Sequence, residues 1–297
     1  MECVPNFSEG RNLKKIKKIF QAALRQAQGE PARVFGLEYN KDHNRMLFTI
    51  VGAPSDVLAS VFAAIKTATQ LIDMNKHHGE HPRIGATDVV PFVPVAGVSL
   101  DDCVLLADKL ARKVAKELKV PVYLYEAAAK KPENKSLADI RKGEYEGLKI
   151  KLRKPDYGPD KLHPTAGAIV IGARKYLIAF NVNLNTADVS VAKKIAAKVR
   201  EKGGGLSGVK ALGFKVGGLA QVSMNLTDFE KTNFDAAFAA VAREAEKFGV
   251  EIKGSEIYGM IPLEALVKAV KNSFKAMTFK SDQVLEKRIY ENQRSKD

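Results

Sequence analysis

The sequence predicts an α+β protein of two ferredoxin-like subdomains, with antiparallel sheets facing each other and helices on the outside. Three observations carry this. Short β-branched or aromatic runs alternate with amphipathic helical stretches along the whole chain. The first elements come in the order strand, helix, hairpin, helix, strand, which is the split-βαβ pattern. The theme then repeats after a break at Gly158-Pro159. The expected division is 1–157 and 158–297, the second half ending in a short helical tail. A slot between facing sheets is a common place for a ligand.

In the first half, Met1–Phe7 reads as a short strand. Asn12–Gln28 has helical spacing at Leu13, Ile16, Ile19, Phe20, Ala23 and Leu24. Val34–Leu37 and Met46–Val51 are β-branched or aromatic runs around a polar Asn40–Asn44 turn, which predicts a hairpin. Pro54 suits a helical first turn and opens a helix to about Asp73. Asp88–Pro94 reads as a strand, Leu100–Leu118 as a helix and Val120–Tyr125 as a strand. Ala127–Asp156 is rich in Lys, Pro and Glu, with a short helix near Leu137–Lys142.

In the second half, Ala168–Gly172 and Tyr176–Asn183 are predicted strands joined through Ala173-Arg174-Lys175. Val189–Lys202 is a predicted helix. Val209–Lys215 and Leu219–Leu226 are paired runs around Val216-Gly217-Gly218. Phe234–Phe248 is a predicted helix stopped by Gly249, and Ser255–Tyr258 closes the sheet. Gly203-Gly204-Gly205-Leu206-Ser207-Gly208 formally matches G-x-G-x-x-G. It follows a helix and precedes a strand, the reverse of the dinucleotide-binding context, and reads as a helix stop.

Of the 297 residues, 45% are apolar, enough to build a core. No run approaches the roughly 18 apolar residues of a membrane span. The N-terminus lacks the basic and apolar regions of a signal peptide. The two cysteines, Cys3 and Cys103, are too few and too far apart for a disulfide framework, and the expected compartment is the cytoplasm. The net charge of +14 raises three readings: nucleic-acid binding, a solvated lysine surface, or steering of an acidic small substrate. The lysines are spread over helix faces and no nucleic-acid motif accompanies them, so no specific nucleic acid and no membrane partner is expected.

Three of the five histidines fall in His77-His78-Gly79-Glu80-His81. Histidine exchanges protons near neutral pH. Gly79 and Pro82 make the segment a shaped loop rather than a helix. A zincin site needs His-Glu-x-x-His on an unbroken helix, so no metal is expected. A general base presented on a loop is the sharper reading, against a histidine-rich surface loop with one hydrogen-bonded core histidine. Such a base predicts a rate that rises with pH near neutrality.

Five segments, read together, resemble the formiminotransferase domain family. They are Glu2–Gly10 (ECVPNFSEG), His78–Ala86 (HGEHPRIGA), Val120–Tyr125 (VPVYLY), Gly172–Asn181 (GARKYLIAFN) and Gln221–Leu226 (QVSMNL). The resemblance implies a two-subdomain enzyme, a homodimer, that moves a formimino group between N-formimino-L-glutamate and tetrahydrofolate, the folate acting as co-substrate. It places the catalytic histidine at His81. It places a second catalytic carboxylate at Glu38, where the family has an aspartate. It places folate binding in Gly158–Gly167, with Gly158, Lys161, His163, Thr165 and Gly167 as candidates; here Asp160-Lys161-Leu162-His163 departs from the family's serine- and aromatic-rich stretch. The partners implied are folate and glutamate derivatives, which carry carboxylates. Arginine binds a carboxylate with two prongs, so Arg45, Arg83 and Arg174 are candidates, against a hairpin charge, a loop anchor and a turn residue respectively. Asn6, Ser8 and Asn44 are candidates for polar substrate groups, or for capping and turn shaping. A 5-formyltetrahydrofolate:glutamate formyltransferase and a basic nucleic-acid-binding protein are the rival readings.

Overall fold

The computed structural model describes residues 1–26, 32–95 and 97–287, and the chain divides into two compact units after Tyr176. The first unit opens with two short strands, β1 (Glu2–Cys3) and β2 (Asn6–Phe7), and helix α1 (Leu13–Gln26). Positions 27 and 28 of the expected helix lie outside the described residues. The hairpin β3 (Ala32–Asn40) and β4 (Arg45–Gly52) comes next, then α2 (Pro54–Leu71) and β5 (Thr87–Val93). The remainder is α3 (Leu100–Leu118), β6 (Val122–Glu126), short helices α4 (Leu137–Ile140) and α5 (Glu144–Ile150), and β7 (Ile169–Ala173).

Each element has a local cause. α2 begins at Pro54, whose fixed φ suits the first turn. α3 begins at a capping box in which Ser99 Oγ accepts from Asp102 N while the Asp102 carboxylate accepts from Ser99 N. The hairpin register pairs Asn40 with Arg45 and Glu38 with Leu47, with a bulge between Phe35 and Glu38. Gly36, inside that bulge, has φ +66°. Glu38 therefore lies within a strand that runs to Asn40, not at the end of one finishing at Leu37.

Across the sheet the strands run β3, β4, then β1 and β2 in one lane, then β5, β7 and β6. The first four lanes are the expected split-βαβ and are antiparallel. β7 and β6 extend the sheet beyond β5 with parallel pairings, Val89 opposite Val170 and Tyr123 opposite Val170. This first sheet is thus mixed. Parallel strands need long crossovers, and α3 and the α4–α5 segment supply them. β7 was expected to open the second half. Its hydrogen bonds place it in the first unit, which runs past residue 157 to Tyr176.

Side-chain alternation gives the sheet two faces. Phe7, Met46, Phe48, Ile50, Val90 and Phe92 point to α1, α2 and α3 and form the main core with Ile16, Ile19, Val61, Ile65 and Leu110. Burying each such side chain contributes about 1.5–3 kcal/mol. The opposite face carries Val89, Val170, Tyr123 and Tyr125 under Ile140 and Leu148 of the short helices. Further along that face the register places polar residues together. Glu38, Leu47 and Asn6 share one row, and Arg45, Thr49 and Glu2 share their side of the sheet.

The second unit runs β8 (Ile178–Leu184), α6 (Val189–Val199), β9 (Val209–Val216), β10 (Leu219–Leu226), α7 (Phe234–Glu246), β11 (Ile252–Tyr258) and α8 (Leu263–Phe274). The strand order β11-β8-β10-β9 is antiparallel throughout and repeats the split-βαβ of the first unit. The strands expected at 168–172 and 176–183 therefore belong to different sheets. Gly204, at φ +80°, stops the turn after α6, as read from the sequence. α8 precedes the expected tail helix; the last ten positions lie outside the described residues. Among the described residues no helix is long and apolar enough to cross a membrane.

Candidate active site

The histidine loop is built by three struts from the β3–β4 turn. A single 3-10 turn, Met74–Lys76, follows α2 and is capped by the Asp73 carboxylate. The chain is then irregular to Ala86. Glu80 N donates to Asp42 O (3.1 Å), Asn44 Nδ2 donates to His78 O (2.9 Å), and His77 Nε2 pairs with Asn44 O (2.9 Å). Asn44 has φ +46°, which asparagine tolerates better than most residues. Gly79 passes so close to the turn that an added Cβ would lie 2.3 Å from His43 O. These contacts bring the His43 ring to 5.7 Å from the His81 ring, centroid to centroid.

His77 is a structural histidine. Its Nε2–H donates to Asn44 O, so its Nδ1 is the acceptor for Arg83 Nε (3.2 Å). Burial, aided by Arg83, pushes its pKa below the ordinary 6.5 and keeps it neutral. Arg83 spends all five of its N–H groups inside the chain. Nη1 reaches Glu144 (2.6 Å) and Glu146 (2.7 Å), and Nη2 reaches His77 O (3.1 Å) and Glu146 (2.7 Å). With all five donors engaged within the chain, Arg83 ties the histidine loop to Glu144 and Glu146.

His81 is half-buried. Its Nδ1 lies 2.8 Å from Pro82 O, so Nδ1 carries the proton and Nε2 carries the lone pair. Burial, then the guanidinium groups of Arg45 and Arg141, pushes the imidazole well below the ordinary 6.5. The neutral base is therefore the resting form at pH 7.

Those two arginines are held by one carboxylate. Asp88, fully buried, accepts from Arg45 Nη1 at 2.7 Å and from Arg141 Nη2 through Oδ2, and from Ile84 N at 3.0 Å through Oδ1. Burial alone would raise the Asp88 carboxyl; Arg141 and Arg45 outweigh it and hold the pKa below the carboxylate range. Burial pulls Arg45 down to about 10, opposed by Asp88. Two cations on one anion leave a net positive charge beside His81.

The other candidates separate into groups. Asn6 Oδ1 accepts from Arg45 Nε (3.1 Å), so Asn6 belongs to the His81 surroundings. Ser8 and Asn44, both buried, are joints: Ser8 Oγ donates to Gly85 O (2.7 Å) and Asn44 Oδ1 accepts from Gly10 N (2.9 Å). Arg174 lies off this network. Its charge acts on buried Glu2 and on Tyr125, whose hydroxyl is pushed up to about 12, chiefly by burial, and its Nη1 donates to Lys175 O (3.0 Å). In the 158–167 loop, His163 Nδ1 accepts from Thr165 N (3.3 Å) and Ala166 N (3.0 Å). Gly167, at φ +72°, forms bridges to His163 and to Gly85. Lys161 is exposed and Gly158 sits at φ +96°. This loop thus abuts the far end of the histidine loop. Among the described residues no group of three or more His, Cys, Asp or Glu side chains is placed to hold a metal.

Sequence reasoning missed Asp88, Arg141, His43 and Glu2. For Asp88 a signal existed: it is the lone charge in the apolar run Thr87–Val93, and a fully buried carboxylate demands partners. Arg141 is one cation among many in a lysine-rich stretch and carries no such signal.

The family model of the formiminotransferase domain's N-terminal subdomain matches residues 1–174, and that of the formiminotransferase domain matches residues 179–289. The gap between them coincides with the division after Tyr176. The chain is 43% identical over 275 residues to glutamate formimidoyltransferase of Streptococcus pyogenes serotype M1, covering 90% of each. It is 42% identical over 297 residues to the glutamate formimidoyltransferase of Thermoplasma acidophilum, covering 97% of each. Against formimidoyltransferase-cyclodeaminase of Rattus norvegicus it is 45% identical over 281 residues, covering 91% of this chain and 51% of that one. On these matches, which span both of its units, the chain belongs to the formiminotransferase family.

Proposed function

We propose that this chain transfers a formimino group between N-formimino-L-glutamate and tetrahydrofolate, with His81 as the general base and acid. The observation that carries the reading is the fixed tautomer of His81, with Nδ1 on the Pro82 carbonyl and with burial, then two guanidinium groups, keeping the ring neutral. As N5 of tetrahydrofolate attacks the amidine carbon, its proton passes to His81 Nε2. The tetrahedral intermediate then breaks its bond to the glutamate nitrogen, which takes the proton back from the imidazolium. The products are 5-formimino-tetrahydrofolate and glutamate, and His81 ends as it began. The positive charge of Arg45 and Arg141 weakens the imidazole as a base but strengthens the imidazolium as the acid that expels glutamate. General acid–base catalysis of this kind contributes about 10²–10⁴-fold.

In this reading Glu38, on the sheet face shared with Asn6 and Arg45, stabilises the transient imidazolium. Arg174 and the exposed Lys161 meet substrate carboxylates, and the 158–167 loop, with Gly158, His163, Thr165 and Gly167, shapes the folate site. The reading is completed by a cytoplasmic homodimer. Cys3 and Cys103, buried and free, suit a reducing compartment. The test is incubation of the purified chain with tetrahydrofolate and N-formimino-L-glutamate, and separately with 5-formyltetrahydrofolate and glutamate. Release of glutamate with a modified folate in the first reaction supports the reading. Turnover in the second alone overturns it in favour of formyl transfer.

A further inference from the structure

The two guanidinium groups beside His81 have donors to spare. Arg45 places Nε on Asn6 Oδ1 (3.1 Å) and one Nη1 hydrogen on Asp88 Oδ2 (2.7 Å). Arg141 turns one edge to the same carboxylate, Nε towards Oδ1 (3.4 Å) and Nη2 to Oδ2. A guanidinium carries five N–H groups, and with two used on each arginine three remain that no described residue accepts. Arg83, by contrast, has none left. Arg45 Nη2 and Arg141 Nη1 make no hydrogen bond among the described residues, yet neither is one of the buried polar atoms without a partner. Both nitrogens therefore meet solvent, although the side chains that carry them are only 11% and 12% exposed. They form the open edge of a buried ion cluster.

Charge points the same way. Arg45, Arg141 and Asp88 sum to one positive charge, so one further carboxylate brings the cluster to neutrality. Guanidinium groups bind carboxylates through paired N–H donors. Asp88 accepts from both arginines through one oxygen, which holds the two cations side by side, within reach of a single carboxylate. In N-formimino-L-glutamate the α-carboxylate sits on the carbon that bears the nitrogen reprotonated by His81. The other carboxylate lies at the far end of the side chain. We propose that Arg45 Nη2 and Arg141 Nη1 hold the α-carboxylate of the formimino donor, with Asp88 and Asn6 as positioning residues that fix the two guanidinium groups. The proposal rests on the formimino-transfer reading above. It makes Arg141 a specificity-determining residue, since the site then selects an amidine built on an α-amino acid. Arg174 and Lys161 are left for carboxylates farther from the reacting atoms.

The experiment measures kcat/KM of the full chain with tetrahydrofolate and three donors, on the flat part of the pH profile. The donors are N-formimino-L-glutamate, N-formimino-4-aminobutyrate, which lacks the α-carboxylate, and N-formimino-L-2-aminobutyrate, which lacks the side-chain carboxylate. The wild type is expected to use the 4-aminobutyrate donor about tenfold or more less well than N-formimino-L-glutamate, the range for losing a charge-assisted hydrogen bond. Arg141→Gln is expected to cost a similar factor with both donors that keep the α-carboxylate. With the 4-aminobutyrate donor that cost should vanish, because the partner of Arg141 is already gone. Any effect of the substitution on His81 or on the fold acts on all three donors alike and divides out. Equal wild-type use of N-formimino-L-glutamate and the 4-aminobutyrate donor overturns the proposal, and this comparison needs no variant to fold. An Arg141→Gln cost that is the same for all three donors, or that vanishes with the 2-aminobutyrate donor instead, also overturns it. A wild type that transfers from none of the donors overturns the formimino-transfer reading itself.

Discussion

Asp88 Oδ2 lies 2.7 Å from Arg45 Nη1 in a fully buried position, and the same oxygen accepts from Arg141. One anion thereby fixes two cations beside His81. Burial of the trio is tolerable only because its charges are paired.

Asp88→Asn keeps the shape and an acceptor for Ile84 N but removes the anion. Two partly buried guanidinium groups then face each other unneutralised. The expected loss of stability is about 3–5 kcal/mol, the range for breaking a buried ion pair by removing one partner. Urea denaturation checks it. A loss below about 1 kcal/mol, the scale of an exposed pair, would mean that the trio is solvated.

Arg83→Lys keeps the charge and loses the fork. Glu144 and Glu146 are 39% and 58% exposed, so their ion pairs contribute little after solvent screening. The bonds to His77 Nδ1 and His77 O are buried, and losing them is expected to cost about 1–3 kcal/mol. The KM for formiminoglutamate should stay near the wild-type value. A KM increase of about tenfold or more with unchanged melting would identify Arg83 as a substrate ligand.

His77 and His81 both titrate below 6.5 in the folded chain, while the unfolded chain binds their protons near 6.5. The unfolded state thus takes up protons first as pH falls. Stability is fully present above about pH 6.5 and declines below it, through the depressed folded pKa values. Denaturation midpoints measured from pH 7.5 to 5 should fall, and His77→Gln should flatten the slope. A slope unchanged by the substitution would assign the acid sensitivity elsewhere.

The pH dependence of kcat/KM follows from the same shift. An unperturbed imidazole would place the acid limb near neutrality. Burial and the two guanidinium groups move it down. The profile should be flat from about pH 6.5 to 8, the region above an unperturbed imidazole pKa, and should fall only at lower pH. Arg141→Gln should move the limb upward. A limb that stays in place in this variant would show that Arg141 does not act on His81.

The hairpin, the split-βαβ order and the irregular histidine loop were legible because each has a local signal: alternation in Met46–Val51, Pro54 at a helix start, Gly79 and Pro82 around the histidines. The place of β7 was not. Parallel pairing of Val170 with Val89 and with Tyr123 joins segments far apart in the chain, and periodicity says nothing about which sheet an apolar run enters. Arg83 and Asn44 carry polar groups whose partners lie across the fold, so their structural use emerged only from the hydrogen bonds. The resemblance supplied His81. The structure supplied its burial and the two guanidinium groups beside it, held by Asp88.

The most direct test of the account is transfer by His81→Ala with tetrahydrofolate and N-formimino-L-glutamate, measured in single turnover on protein that melts like the wild type. The account predicts a fall of about 10²-fold or more, the range for losing a general acid–base group, together with loss of the acid limb. Turnover near the wild-type rate in a well-folded variant would contradict it.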